Sequence, residues 1–146
     1  MKCIADANVL FPLLVSGHEA HEVARDWWEQ QPDGSVGHCL LTRLAVLRLL
    51  SNRTAMNGMP VTPREAIDAW QQLVDDPRCF RIDAEPATHE SRFVALVRER
   101  QATPNLWTDA WLAALSLALD HEMITFDRGF RSFKGLRLRL LALRVA

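Results

Sequence analysis

The sequence has no apolar run of the length that a membrane-spanning helix needs, about 20 residues. Its N-terminus reaches an acidic residue at Asp6, which is too early for a signal peptide. Cysteine is scarce: Cys3, Cys39 and Cys79 form no CxxC pair and no Cys/His spacing typical of zinc sites. These absences favour a cytoplasmic protein with buried thiols in a reducing compartment, and no membrane association.

Strong net charge is also lacking. The net charge of −1 gives the whole molecule no obvious affinity for polyanions. The distribution is uneven, however, because no acidic residue follows Asp127, whereas six basic residues do, so the preceding part of the chain carries −7. A basic end on an acidic body can bind nucleic acid, an acidic partner or the body itself.

Apolar runs separated by helical patterns organise the 146 residues, which we expect to form one domain over residues 1–146. Five short strands are predicted, at residues 2–5, 35–39, 79–82, 123–126 and 136–140. Helical spacing of apolar residues predicts helices at 8–14, 18–31, 40–50, 63–75, 89–100 and 106–119. This alternation predicts an α/β fold, a three-layer sandwich with a mostly parallel, about five-stranded central sheet. The strictly alternating last strand is expected at a sheet edge.

The segment Leu106–Leu119 is the most apolar predicted helix, with apolar side chains on both of its stripes. Thr108 is a candidate cap for its N-terminus, with Asp109 in the first turn. Asp109 either interacts favourably with the helix dipole or points into a cleft that holds other carboxylates.

Asp6 and Asp127 each follow a predicted strand, and ligands of parallel sheets bind outside the carboxyl ends of the strands. Considered one at a time, the three acids have simple structural explanations: Asp6 as a helix cap, Asp109 as a first-turn acid and Asp127 as a turn residue. Together they favour a site, because gathered carboxylates repel one another unless a cation holds them. Oxygen ligands point to Mg²⁺ or Mn²⁺, and such an ion supports phosphodiester hydrolysis.

Three segments carry a resemblance: Asp6–Leu10, Thr108–Ala114 and Thr125–Phe130 resemble the PIN domain in its VapC toxin branch. The resemblance implies a Mg²⁺- or Mn²⁺-dependent ribonuclease that cuts structured RNA. It also implies a cognate antitoxin as inhibitor, and a homodimer. The metal ligands of the family match Asp6, Asp109 and Asp127.

One feature departs from the family, which usually has a glutamate near the start of the third helix. Residues 41–48 contain no acid, and the register places Arg43 near that position. A cation there would oppose a second metal ion, or contact an RNA phosphate or a neighbouring aspartate; the alternative is a surface residue.

Asn8 and Asn105 either orient a carboxylate or occupy turns. Arg128 either steers RNA phosphates or lies in a solvated loop.

Two other functions compete with a nuclease. One is a catalytically weak PIN-like module that binds RNA or protein. The other is an aspartate-phosphorylated receiver, which the sequence disfavours because Ala7, not a second acid, follows Asp6.

The first two helices offer a candidate groove for the antitoxin. Its predicted residues are Phe11, Leu14, Val23 and Trp27. Because Trp27 and Trp28 are adjacent, we expect one of them to be exposed at an interface. His18 and His21 have a spacing that can hold a metal, although packing is the simpler role.

Overall fold

A computed structural model describes residues 1–145 of the chain. One parallel sheet forms its centre, with the strand order β3-β2-β1-β4-β5. The strands are β1 (Cys3–Ala5), β2 (Val36–His38), β3 (Cys79–Arg81), β4 (Glu122–Thr125) and β5 (Leu138–Leu140). The predicted α/β fold is confirmed, and every strand pair is parallel. β5 lies at an edge, as its alternating sequence predicted.

Six α-helices connect and cover the strands. They are α1 (Ala7–Leu13), α2 (His21–Glu29), α3 (Leu40–Leu50), α4 (Pro63–Val74), α5 (His89–Val97) and α6 (Leu106–Leu119), and a 3₁₀ turn spans Arg128–Ser132. Among residues 1–145, none of these helices has the length and apolar character needed to cross a membrane.

Two buried clusters, one on each face of the sheet, make the fold a three-layer sandwich. Successive side chains of a strand point to opposite faces. Cys3 and Ala5 of β1 accordingly pack with residues of α1–α4, whereas Ile4 packs with α6 and the 3₁₀ turn. The predicted central helix α6 therefore covers one face together with α5, and four helices cover the other.

One helix cap and one helix start differ from the sequence predictions. α6 begins at Leu106, and Thr108 lies inside the first turn, where its hydroxyl donates to the Asn105 carbonyl at 3.2 Å. Thr108 is therefore not the cap, because the helical backbone starts one turn earlier. α2 begins only at His21, since His18 Nδ1 accepts a hydrogen bond from the Ala20 N–H and holds a turn before it.

The tryptophan pair also differs from expectation. Trp27 and Trp28 are both buried, at 4% and 9% exposure. Both rings belong to the same core cluster, and the Arg78 guanidinium lies over the Trp28 ring, 5.4 Å from its centroid. Neither tryptophan is therefore an exposed interface residue.

The topology creates a crevice between β1 and β4. From β1 the chain moves outward through β2 to β3, then returns to place β4 on the other side of β1. The connections after β1 and β4 consequently leave the sheet in opposite directions at its carboxyl edge. Ligand sites of doubly wound sheets form at such a reversal.

Candidate active site

Asp6 is the first residue after β1 and lies at this crevice. Its N–H donates to the Ile124 carbonyl of β4 at 2.9 Å, and its Oδ1 accepts from the Ala7 N–H at 2.7 Å, which caps α1. Burial raises the pKa of the Asp6 carboxyl, and the charge of Asp127 raises it further, while the hydrogen bond from Thr125 lowers it. The cap role and a role in the site are therefore compatible.

Thr125, the last residue of β4, connects the polar groups of the crevice. Its buried hydroxyl donates to Asp6 Oδ2 at 2.9 Å and accepts from Asn8 Nδ2 and from the Asp127 N–H, each at 3.0 Å. Asn8 Oδ1 accepts in turn from the Phe126 N–H at 3.2 Å. Asn8 thus supports Asp6 through Thr125. The sequence pattern did not identify this threonine as a site residue, although a hydroxyl at the end of an apolar strand was a usable signal.

Asp109 and Asp127 come from different elements and face the same space as Asp6. Asp127 follows β4 and is exposed, and its Oδ1 accepts from the Gly129 N–H at 2.7 Å to start the 3₁₀ turn. Asp109 lies half-buried in the first turn of α6. Burial raises the pKa of Asp109 to about 7, and the charges of Asp6 and Asp127 act in the same direction. The three carboxylates are therefore close enough to repel one another.

A cleft of about 470 Å³ joins these groups. It brings together five of the predicted site residues: Asp6, Asp109, Asp127, Asn8 and Asn105. Its wall from α3 is formed by Leu41, Thr42, Leu44, Ala45, Arg48 and Leu49. Thus α3 contributes no acid to the cleft, as its sequence predicted. The cleft could hold a phosphodiester and an ion together.

Two predicted residues lie outside this lining. Arg43 lines a separate cavity of about 360 Å³ together with Trp70 and Asp75. Arg43 is therefore not among the residues that line the cleft with the carboxylates, and its match to the family's usual glutamate position stays a prediction. The cation that α3 turns toward the cleft is Arg48, which sequence analysis did not single out; the two residues are roughly 140° apart around a helix of 3.6 residues per turn. Arg128 is exposed beside Asp127 at the start of the 3₁₀ turn.

The donor chemistry of the cleft fits a hard divalent cation. Its carboxylate and amide oxygens are the ligands that Mg²⁺ and Mn²⁺ prefer. Within residues 1–145, no ion pair neutralises Asp6, Asp109 or Asp127. Nor do any three His, Cys, Asp or Glu side chains in that range lie close enough to hold one ion directly. Water-mediated contacts would complete the ligand set, as is common for Mg²⁺.

The two histidines considered as metal ligands are engaged elsewhere. His18 Nδ1 contacts the Ala20 N–H at 3.0 Å, and His21 Nδ1 contacts the Pro12 carbonyl at 2.7 Å. Their role is local packing and turn formation.

The raised pKa of Asp109, caused first by burial and then by the charges of Asp6 and Asp127, predicts a pH-dependent effect of Asp109→Asn in the absence of metal. Because the folded-state pKa of Asp109 is raised to about 7, its unfavourable effect on folding grows as pH rises from about 4 and is complete above about 7. The variant should gain about 1–2 kcal/mol relative to wild type between pH 4 and pH 8, allowing for solvent screening. Urea denaturation in EDTA at both pH values measures this. A difference that does not change with pH would contradict it.

The hydroxyl network predicts that Thr125→Val is more destabilising than Thr125→Ser, although valine is closer to threonine in shape. Valine leaves the Asn8 amide and the Asp127 N–H without their acceptor, which costs about 1–3 kcal/mol of unfolding free energy. Serine keeps the hydroxyl and removes one methyl group, at about 1 kcal/mol. Chemical denaturation of both variants checks the order, and equal or reversed losses would refute the network's importance.

The family model described as PIN domain matches residues 3–136. Ribonuclease VapC41 of Mycobacterium tuberculosis (strain ATCC 25618 / H37Rv) is 36% identical over 143 residues, which cover 95% of this chain and 98% of the relative. Ribonuclease VapC44 of the same strain is 29% identical, covering 88% and 87%.

Two solved structures share the fold. The crystal structure of Mycobacterium tuberculosis VapC20, a sarcin-ricin loop cleaving toxin, superposes with a TM-score of 0.67 at 18% identity and covers 94% of this chain and 99% of that one. VapBC-1 from nontypeable Haemophilus influenzae superposes with a TM-score of 0.63 at 16% identity, covering 96% and 98%. The family match and the 36% identity across nearly the whole chain show that this protein belongs to the PIN-domain family, in its VapC branch.

Proposed function

We propose that this protein is a metal-dependent endoribonuclease, the toxin of a type II toxin–antitoxin system, which hydrolyses RNA phosphodiester bonds at Asp6, Asp109 and Asp127. The observation that carries the proposal is the convergence of these three aspartates, from distant parts of the chain, on one cleft. The names of the related ribonucleases VapC41 and VapC44 support RNA as the substrate class. We expect the protein to act in the cytoplasm.

The cleft residues have separable roles in this reaction. A bound Mg²⁺ or Mn²⁺ would lower the pKa of a water and neutralise charge on a phosphoryl oxygen. Asp6, Asp109 and Asp127 would hold the ion. Asp6 is fixed by the Ala7 N–H and by the Thr125 hydroxyl, so its carboxylate needs little reorganisation. Because α3 supplies no acid, these aspartates are the carboxylate ligands that the cleft offers.

The proposed antitoxin site adjoins the cleft. An apolar groove of about 310 Å³ has Phe11, Phe126 and Leu143 among its lining residues and shares Asn8 and Leu49 with the cleft. A segment bound there could extend an arginine to the aspartates and neutralise them. Of the groove residues suggested by sequence, Phe11 is among the residues that line this groove, although its side chain is as buried as that of Trp27. Leu14, Val23 and Trp27 are not among the lining residues.

We propose that the chain forms a homodimer through another apolar surface. Leu40, Leu44 and Trp107 are 52–60% exposed around a cavity of about 480 Å³ between α3, α5 and α6. Exposed large apolar side chains gathered in one patch are typical of protein interfaces. This patch adjoins the cleft through Leu41, so dimerisation would place the partner near the RNA path.

Cleavage of a total RNA pool with Mg²⁺ or Mn²⁺ tests the proposed function. Wild-type protein should give discrete cuts that EDTA abolishes. Asp6→Asn and Asp109→Asn should reduce cutting by about 100-fold or more, because each keeps the side-chain shape and removes a charge that holds the ion. Denaturing gels quantify the products.

Asp68→Asn is the matched control, since Asp68 is exposed on α4 and lies outside the cleft. It should cut like wild type. Folded wild-type protein that cuts no RNA with either metal would contradict the nuclease and favour the PIN-like binding module. Equal loss in the Asp68 variant would show that the assay reports stability rather than chemistry.

A further inference from the structure

Arg48 is a cation turned toward a cleft that is otherwise acidic. It lies in the last turn of α3 and lines the cleft together with the three aspartates. It is the one basic side chain among the described residues of that lining. A cation in this position is able to contact a ligand that is bound in the cleft beside the aspartates.

The guanidinium of Arg48 is not committed to another protein group. Over residues 1–145, it takes part in no ion pair and no side-chain hydrogen bond, and the residue is exposed. By contrast, Arg25, Arg78 and Arg81 pair with carboxylates near them in sequence. Arg48 therefore retains its donors for a ligand, although three carboxylates face the same cleft.

Charge balance indicates what that ligand is. Three ionised aspartates and one divalent cation leave the cleft with a single negative charge, which would repel an RNA phosphodiester. Arg48 brings the total to zero. Its planar fork also matches two oxygens of a phosphate, which the point charge of a lysine does not.

Arg48 could alternatively have a purely structural role in α3. A cation in the last turn of a helix interacts favourably with the helix dipole, and this would affect stability alone. Arg43 is a suitable comparison because it lies on the same helix but lines a different cavity.

We infer that Arg48 is the phosphate-binding residue of the cleft, whose guanidinium donates to non-bridging oxygens of the RNA beside Asp6, Asp109 and Asp127. This inference rests on the proposed ribonuclease function. According to this inference, α3 lacks the family's usual glutamate but supplies the site with a phosphate-binding arginine. Arg48 positions the substrate, and the aspartates remain the groups that hold the ion.

The test compares Arg48→Gln, Arg48→Lys and Arg43→Gln. With Mn²⁺ and the RNA pool, Arg48→Gln should lower kcat/KM by about 10- to 100-fold, the usual effect of losing a hydrogen bond to a charged group. Arg48→Lys should recover part of the rate, because it keeps the charge and loses the fork. Arg43→Gln should stay within about two-fold of wild type, since it removes a charge outside the cleft.

Filter binding of the end-labelled RNA pool gives a readout that does not depend on cutting. In an Asp109→Asn background, adding Arg48→Gln should weaken RNA binding and reduce the slope of log affinity against log salt by about one. Adding Arg43→Gln should change neither quantity.

Three results would overturn the inference. If wild type and Arg48→Gln cut and bind RNA alike, only the Arg48 inference fails. If the loss of activity follows a fall in melting temperature while RNA affinity is unchanged, Arg48 is structural. If wild type cuts no RNA, the proposed function fails, and the inference fails with it.

Discussion

Repulsion among the carboxylates of Asp6, Asp109 and Asp127 is the constraint on which the site depends. Burial and mutual charge raise the pKa of Asp109 to about 7, and Asp6 is shifted in the same direction. An isolated protein gains nothing from such an arrangement, since it lowers stability at neutral pH. Under the proposed function, a bound divalent cation would make the arrangement favourable, because the ion would relieve the repulsion among the carboxylates.

The fold enforces this arrangement through its backbone. β1 and β4 are neighbours in the middle of the sheet, so Asp6 and Asp127 emerge side by side at its carboxyl edge. The first turn of α6 brings Asp109 to the same cleft. The Thr125 hydroxyl then fixes Asp6 and the backbone of Asp127 in one network. Strand order, a helix start and one buried hydroxyl together position the acids.

The sequence predicted the parts of this site that depend on local pattern. Apolar runs located the strands, and Asp6 and Asp127 could be placed because each directly follows one. It did not predict which side of α3 faces the cleft, because α3 is apolar over most of its surface and its periodicity does not distinguish Arg43 from Arg48. It missed Thr125, whose role arises from contacts with Asp6 and Asn8 more than 100 residues away in the chain. Such contacts are tertiary, and local spacing does not encode them.

Metal binding in the absence of RNA shows whether the three aspartates hold a divalent cation. Mn²⁺ titration followed by electron paramagnetic resonance at pH 7.5 would compare wild type with Asp6→Asn, Asp109→Asn and the control Asp68→Asn. We expect wild type and Asp68→Asn to bind Mn²⁺ alike, Mg²⁺ to compete, and each cleft variant to bind Mn²⁺ at least about 10-fold more weakly. Equal Mn²⁺ affinity in wild type and both cleft variants would contradict this expectation, because the aspartates would then hold no ion.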